Sequence, residues 1–398
     1  MEIRDFLKIM VERDASDIYL TVESPPMYRI NGVTQPVGDG KLTNEQLDTL
    51  ANAVMRTDKQ KKEFEETMEM NLALAYEDLG RFRVNIFRQR GNVGFVIRQI
   101  KVEIVPLDKL GLPPIIKDIS LTKRGLVLVV GATGSGKSTT LAAMIDHRNS
   151  NEPGHIISVE DPIEFVHRHK KSIVSQREIG FDTHSYANAL KNTLRQAPDV
   201  ILIGEVRDTE TMEAAITFAE TGHLCLGTLH SNNANQAIER IMNFFPHERH
   251  AQIYLQLSLN LRAIISQRLI PSVDGKRAAA MEILLDTPHI KDLIKRGEVD
   301  VLKDAMEQGI QEGCETFDQA LFVLYKDGKI TIEQALINAD SANNLRLKIK
   351  LEGLKGDDAI DKLLEKDDKD KTGKDKAEKP KGLQIQGKQP AGTGFKKI

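Results

Sequence analysis

Tryptophan is absent from this 398-residue chain, aromatic residues make up only 5% of it, and cysteine occurs twice. Cys225 and Cys314 stand far apart, which supports neither a disulfide framework nor a four-thiolate zinc site. So few aromatics, with a net charge of −3, offer neither a stacking platform nor a basic groove, and no nucleic acid is expected as a partner. No apolar run approaches the roughly 18–20 residues that a membrane-spanning helix needs. The opening residues, with Glu2, Arg4, Asp5 and Lys8, are too charged for a secretory signal. The expectation is a soluble, intracellular chain, long enough for a substantial core and able to dock on a membrane protein.

What is present decides more. Residues 125–139 read Gly-Leu-Val-Leu-Val-Val-Gly-Ala-Thr-Gly-Ser-Gly-Lys-Ser-Thr, a strand-like run entering G-x-x-x-x-G-K-[ST] without a mismatch. Gly131, Gly134 and Gly136 let the backbone curl so that successive N–H groups point at phosphate oxygens. Lys137 carries positive charge to the β- and γ-phosphates, the Ser138 hydroxyl is a ligand for Mg²⁺, and a helix starting near Lys137 adds its positive end. Ala132, Thr133, Ser135 and Thr139 complete the segment. An accidental glycine-rich turn is a poor alternative, because strand and helix flank the motif as it requires. This is read as a nucleoside triphosphate site.

Around it the chain divides by rhythm. Ile3, Phe6, Leu7, Met10 and Val11 share a helical face within residues 1–17. Strand-like pieces follow at Ile18–Val22, Met27–Ile30 and Val33–Val37, and Thr43 with Gln46 forms a capping box opening a helix over 44–56. Gly80–Gln89 and Asn92–Ile100 read as a strand pair joined across Arg90-Gly91. Residues 1–105 thus suggest a small α/β domain, and 106–120, with Gly111, Pro113 and Pro114, a linker. From 121 to 354 apolar strands (Leu126–Val130, His155–Val159, Val200–Ile203, Leu224–Leu229) alternate with helices, which argues a mostly parallel sheet covered on both faces. A helical region is expected from about 247 to 345. Residues 355–381 hold nine lysines and nine acids, so the tail 355–398 is expected to be disordered.

Four further segments bear on the nucleotide. Glu160, Asp161 and Glu164 follow the second strand of the parallel set, where a carboxylate can orient or deprotonate an attacking water; a capped turn around Pro162 is the plainer alternative. Val200–Ile203 ends in Gly204-Glu205, the position of a Mg²⁺-side acid, although Asp is the commoner residue there; Asp199 reads as structural. His223 and His230 bracket the strand between them and suggest a γ-phosphate sensor rather than a metal site, whose ligand spacing is missing. Arg81, Arg83, Arg88, Arg90 and Arg98 crowd into a stretch without an acid, with Arg81 and Arg83 on one strand face. A solvated or nucleic-acid-binding face is one reading; delivery of charge in trans to a neighbouring subunit's phosphates is the other.

Gly-Ala-Thr-Gly-Ser-Gly-Lys-Ser-Thr, Ser-Val-Glu-Asp-Pro-Ile-Glu-Phe, Gln-Ala-Pro-Asp-Val-Ile-Leu-Ile-Gly-Glu-Val-Arg-Asp and Thr-Gly-His…Gly-Thr-Leu-His occur in this order. With Ala15-Ser16-Asp17-Ile18-Tyr19-Leu20 and Arg81-Phe82-Arg83-Val84-Asn85, the chain resembles the secretion-type hexameric ATPases, specifically the type IV pilus retraction ATPases of the PilT/PilU group, over about residues 1–350. The resemblance implies a PAS-like N-terminal domain, a RecA-like P-loop core, ATP and Mg²⁺, and a homo-hexamer that retracts pili by pilin disassembly. It implies Glu164 as the catalytic carboxylate, Glu205 as the Mg²⁺-side acid of this family, a histidine box of His223 and His230, and Arg81, Arg83 and Arg98 as candidates to reach a neighbouring nucleotide. Pro288 to Gly297 departs from the Ala-Ile-Arg-Asn-Leu-Ile-type segment of PilT-like motors, which favours a PilU-like chain assisting a PilT-type ring. Its expected place is the cytoplasmic face of the inner membrane, beside the pilus platform protein. The rival readings are a pilus extension or type II secretion ATPase, a RecA-like nucleic-acid motor, and a scaffold that binds nucleotide without cleaving it. Two distant cysteines disfavour the first, charge and composition the second, and the acids and histidines the third.

Overall fold

The structure, a computed structural model, describes residues 2–100 and 103–353. The expected disordered tail, 355–398, lies outside the described residues.

The chain opens with α1 (Ile3–Glu12), whose Phe6, Leu7 and Met10 are buried. There follow β1 (Ala15–Leu20), β2 (Met27–Ile30), β3 (Val33–Pro36), α2 (Asn44–Val54), α3 (Asp58–Thr67), β4 (Glu69–Tyr76), β5 (Gly80–Gln89) and β6 (Asn92–Ile100). The capping box forms as expected: Thr43 accepts the Gln46 N–H while the Gln46 side chain returns to the Thr43 N–H. The described strands make one antiparallel sheet in the order β3-β2-β1-β6-β5-β4. Arg90 and Gly91, both at positive φ, close the β5–β6 hairpin, the backbone that a tight two-residue turn demands. Alternation sends Phe82, Val84 and Ile86 into the core with Phe6, Leu7 and Phe95, and Arg81 and Arg83 to the opposite face.

The second sheet begins after α4 (Ile115–Leu121). Its elements are β7 (Gly125–Val130), α5 (Lys137–Asn151), β8 (Gly154–Glu160), β9 (Ser172–Glu178), α6 (Tyr186–Thr193), β10 (Val200–Ile203), α7 (Thr209–Glu220), β11 (Leu224–Leu229), α8 (Ala234–Met242), α9 (His250–Asn260), β12 (Leu261–Pro271) and β13 (Arg277–Leu285). α10 (Pro288–Arg296), α11 (Leu302–Gln308), α12 (Phe317–Lys326) and α13 (Ile332–Asn338) follow. The order of the described strands is β13-β12-β7-β11-β10-β8-β9, parallel throughout except for the β12–β13 hairpin. Leu126, Leu128 and Val130 pack into a core with α6–α8, whereas Val127 and Val129 pack into the opposite one with α5. That two-sided burial is why the strand reads as an unbroken apolar run.

The α/β class and the mostly parallel sheet are as expected. The helical region expected at 247–345 is corrected, because it contains β12 and β13. Ala278, Ala279, Ala280, Met281 and Leu284 are helix-prone in isolation, but pairing with β12, itself laid beside β7, overrides that preference. Residues through Asp340 form one compact unit; a second begins at Ser341, which caps its described helix α14 (Ala342–Leu351).

Candidate nucleotide site

The phosphate loop leaves the end of β7 at Gly131 and becomes α5 at Lys137. Only glycine fits its start: a Cβ on Gly131 would stand 2.5 Å from Ser135 Oγ and 2.6 Å from the Gln267 carbonyl oxygen, at φ 153°. Gly136, at φ 90°, occupies the N-cap of α5 and brings no side chain to the first-turn N–H groups, which is the geometry that receives anions. Lys137 Nζ donates to the carbonyls of Gly131 at 2.8 Å and Ala132 at 2.9 Å. Burial holds its ammonium below the ordinary lysine range, opposed by the carboxylates of Glu205 and Glu164. Thr133, Gly134, Gly136, Lys137, Ser138 and Thr139 line a cleft of about 510 Å³.

The other wall comes from the carboxyl ends of neighbouring strands. Glu205 follows β10, His230 follows β11, and His230 Nε2 lies 3.3 Å from Glu205 Oε1. Glu164, exposed in the loop after β8, lines the same cleft. Glu160 also lines it, but is largely taken up: Ser158 Oγ donates to it at 2.6 Å and Gln176 Nε2 at 3.2 Å, while burial raises its carboxyl above the usual range. Asp161 faces Arg207 at 3.9 Å. Asp199 accepts the His155 N–H at 2.7 Å, a structural bond. The Ser138 hydroxyl and Glu205 carboxylate are hard oxygen donors of the kind Mg²⁺ takes alongside substrate phosphates. Among the described residues no cluster of three or more His, Cys, Asp or Glu could hold a metal ion.

His223 is not brought to this cleft. It stands at the other end of β11, with Nδ1 3.0 Å from Thr221 Oγ1 and 3.2 Å from the Phe218 carbonyl. Six strand residues separate the two histidines, roughly 20 Å of chain.

The arginines lie nearer. Arg83 and Arg98 line a second cleft, of about 640 Å³, whose far wall carries Thr139, Pro162, Glu164 and Phe165 and so adjoins the first. Register places Arg29, Asp17, Arg98 and Arg83 side by side across β2, β1, β6 and β5. Asp17 pairs with Arg98 at 2.8 Å and Arg29 at 3.6 Å. Among the described residues Arg83 forms no ion pair within 4 Å, although its charge, with that of Arg81, favours the ionised Glu178 carboxylate. Arg81 is 3.5 Å from the buried Glu178.

Sequence reasoning missed the contribution of β12 and β13, where Leu269 and Arg277 line the first cleft and Gln267 props the loop. The signal was a polar Ser266-Gln267-Arg268 step inside the apolar run from Leu261 to Pro271. It also missed Thr228, whose hydroxyl donates to the Gly204 carbonyl beside Glu205, and His167 at the edge of the cleft.

A family model described as type II/IV secretion system protein matches residues 2–350. The type IV pilus ATPase PilU of Pseudomonas aeruginosa is 55% identical over 352 residues, 88% of this chain and 92% of that protein. The retraction ATPase PilT of the same organism is 42% identical over 344 residues, 86% of this chain and all of that protein. A crystal structure of the pilus retraction motor PilT with bound ADP superposes with a TM-score of 0.80 at 43% identity, covering 86% of this chain and 98% of the other.

Proposed function

The chain belongs to the type II/IV secretion system protein family, and from that premise we propose that it is an ATP-hydrolysing motor subunit acting in type IV pilus retraction. One observation carries the reading: a phosphate loop, Glu164, Glu205 and His230 converge on a single cleft. Relatives named as pilus ATPases support it, and the greater identity to PilU than to PilT favours a PilU-like role beside a PilT-type ring.

In this cleft the loop N–H groups and Lys137 bind the β- and γ-phosphates. Ser138 and Glu205 would hold Mg²⁺, which when bound neutralises charge on the phosphate oxygens. Glu164 orients the attacking water and accepts its proton; Glu160 is less available for that role, because Ser158 and Gln176 already engage its carboxylate. His230, held against Glu205, registers the γ-phosphate. Arg83 reaches the phosphates from the first sheet, with Arg81 and Arg98 shaping its surroundings. We assign residues 1–105 and 121–354 to two domains joined by 106–120, and six chains to a ring at the cytoplasmic face of the inner membrane. There closure of successive sites drives pilin out of the pilus through the platform protein.

The test is to size the purified chain with and without ATP while recording phosphate release. A hexameric species that turns over ATP is the expected result, together with loss of twitching in cells whose only copy is Lys137→Ala. A strictly monomeric chain cleaving ATP at full speed would overturn the ring, and unchanged twitching the role in retraction.

A further inference from the structure

Consecutive strand residues face opposite sides of a sheet, and two in β12 are both fully committed. Gln267 is buried and meets the phosphate loop and the first turn of α5 at three places. Its carbonyl oxygen lies against Gly131, one step beyond the Ser266–Val130 pairing of β12 with β7. Its side-chain nitrogen lies 2.8 Å from where a Cβ on Gly136 would be. Its Oε1 accepts the Thr140 hydroxyl at 2.7 Å, and Thr140 N–H in turn donates to the Gly136 carbonyl at 3.0 Å. The start of the loop, the cap of α5 and its first turn therefore rest on one residue from another strand.

Arg268 points the other way. Its guanidinium carbon lies 3.7 Å from the Phe317 ring centroid, its Nη2 2.9 Å from Asp340, and its Nη1 donates to the Asn338 carbonyl at 2.8 Å. Lys303 of α11 joins the same carboxylate at 3.3 Å. The strand that props the loop is thereby anchored to the helices beyond β13.

We propose that Gln267 is a positioning residue for ATP cleavage: through Thr140 it holds the N–H donors of the loop and Ser138 in register with the acids after β8 and β10, and Arg268 fixes the strand from which it acts. The inference rests on reading this cleft as an ATPase site. Loss of the Gln267–Thr140 bond leaves the Lys137 charge in place, so binding of ATP is largely kept. It loosens the donors that must meet the transition state, and small misplacement there costs far more than it does in the ground state.

The experiment compares the full chain with Thr140→Val, Thr140→Ser, Gln267→Leu and the Thr140→Val/Gln267→Leu pair, reading kcat, KM for ATP and the thermal midpoint. Thr140→Val is expected to lower kcat about tenfold with KM shifted less than about twofold. Thr140→Ser, which keeps the hydroxyl, returns kcat toward the parent value. The pair is no slower than Gln267→Leu alone, because both remove the same bond. Parent-like kcat in Thr140→Val, an equal defect in Thr140→Ser, or defects that multiply in the pair each overturn the proposal. Should Gln267→Leu fail to fold, the Val and Ser variants decide it alone. A parent chain without turnover sinks the ATPase reading, whereas an active parent with a dead Lys137→Ala and an unaffected Thr140→Val sinks only this inference.

Discussion

The two sheets present their chemistry in different ways. The first is antiparallel and packs one face, so β5 buries Phe82, Val84 and Ile86 and turns Arg81 and Arg83 outward. Its charged residues form a row across four strands, Arg29, Asp17, Arg98 and Arg83. In the second sheet β7, β10 and β11 are buried from end to end, and neither face is left for a reacting group. The groups that line its cleft stand where the strands stop, with the phosphate loop leaving at Gly131 and Glu205 and His230 following their strands. A covered parallel sheet offers ligands only the crevice at its carboxyl ends, and a half-solvated antiparallel one offers a surface. Substitutions at an end should then act nearly all-or-none, and those on a face by degrees.

The sharpest way to break this contrast is Lys137→Ala, the positive contact of the crevice. ATP turnover of the purified chain should fall about 10³-fold. Near-normal turnover would remove the crevice as the reacting centre. Glu164→Gln should follow closely, losing about 10²–10⁴-fold in kcat while a fluorescent ATP analogue still binds. An active Glu164→Gln enzyme would transfer the role to Glu160, whose buried carboxyl is raised toward the protonated form.

On the face, effects should grade with the partners each arginine already has. Arg83→Ala is expected to cost about 10²-fold in kcat, since its charge is the one not paired within the row. Arg81→Ala should cost less, because Arg81 leans on Glu178. Mixing Arg83→Ala with Lys137→Ala chains sharpens the point: activity regained in the mixture means that Arg83 serves a neighbour's nucleotide. No rescue at any ratio assigns it to its own chain, whose second cleft it lines beside Glu164.

The same contrast explains what could be read from residues alone. The hairpin of β5 and β6 was legible to the residue, because alternation and the Arg90-Gly91 turn both mark it. The phosphate loop was legible because its chemistry dictates its spelling. β12 and β13 were not, since an Ala-rich strand at the edge of a covered sheet carries a helix-former's composition and its state is set by pairing distant in sequence. Gln267 went unseen for that reason. The acids and His230 line one cleft, but His223 does not: two histidines bracketing a strand sit at its opposite ends, and proximity in sequence conceals a strand's length.

The smallest expected effect concerns His167, which lines the crevice without belonging to a strand end. Burial pushes its imidazole down to about 4, the Asp146 carboxylate opposing and Lys170 assisting. Among the described residues its Nδ1 has no hydrogen-bond partner, so no hydrogen bond at that atom rewards a proton. The unfolded chain takes that proton near the ordinary 6.5, whereas the folded chain does so only near 4. Stability from this group is therefore complete above about pH 6.5 and drains away as the pH falls toward 4. Between pH 7 and pH 5 the loss is about 2 kcal/mol. His167→Gln should flatten this part of the profile without altering the pH 7 rate as Lys137→Ala does, and equal acid sensitivity of parent and variant in thermal melts would show that the ring's burial carries no such weight.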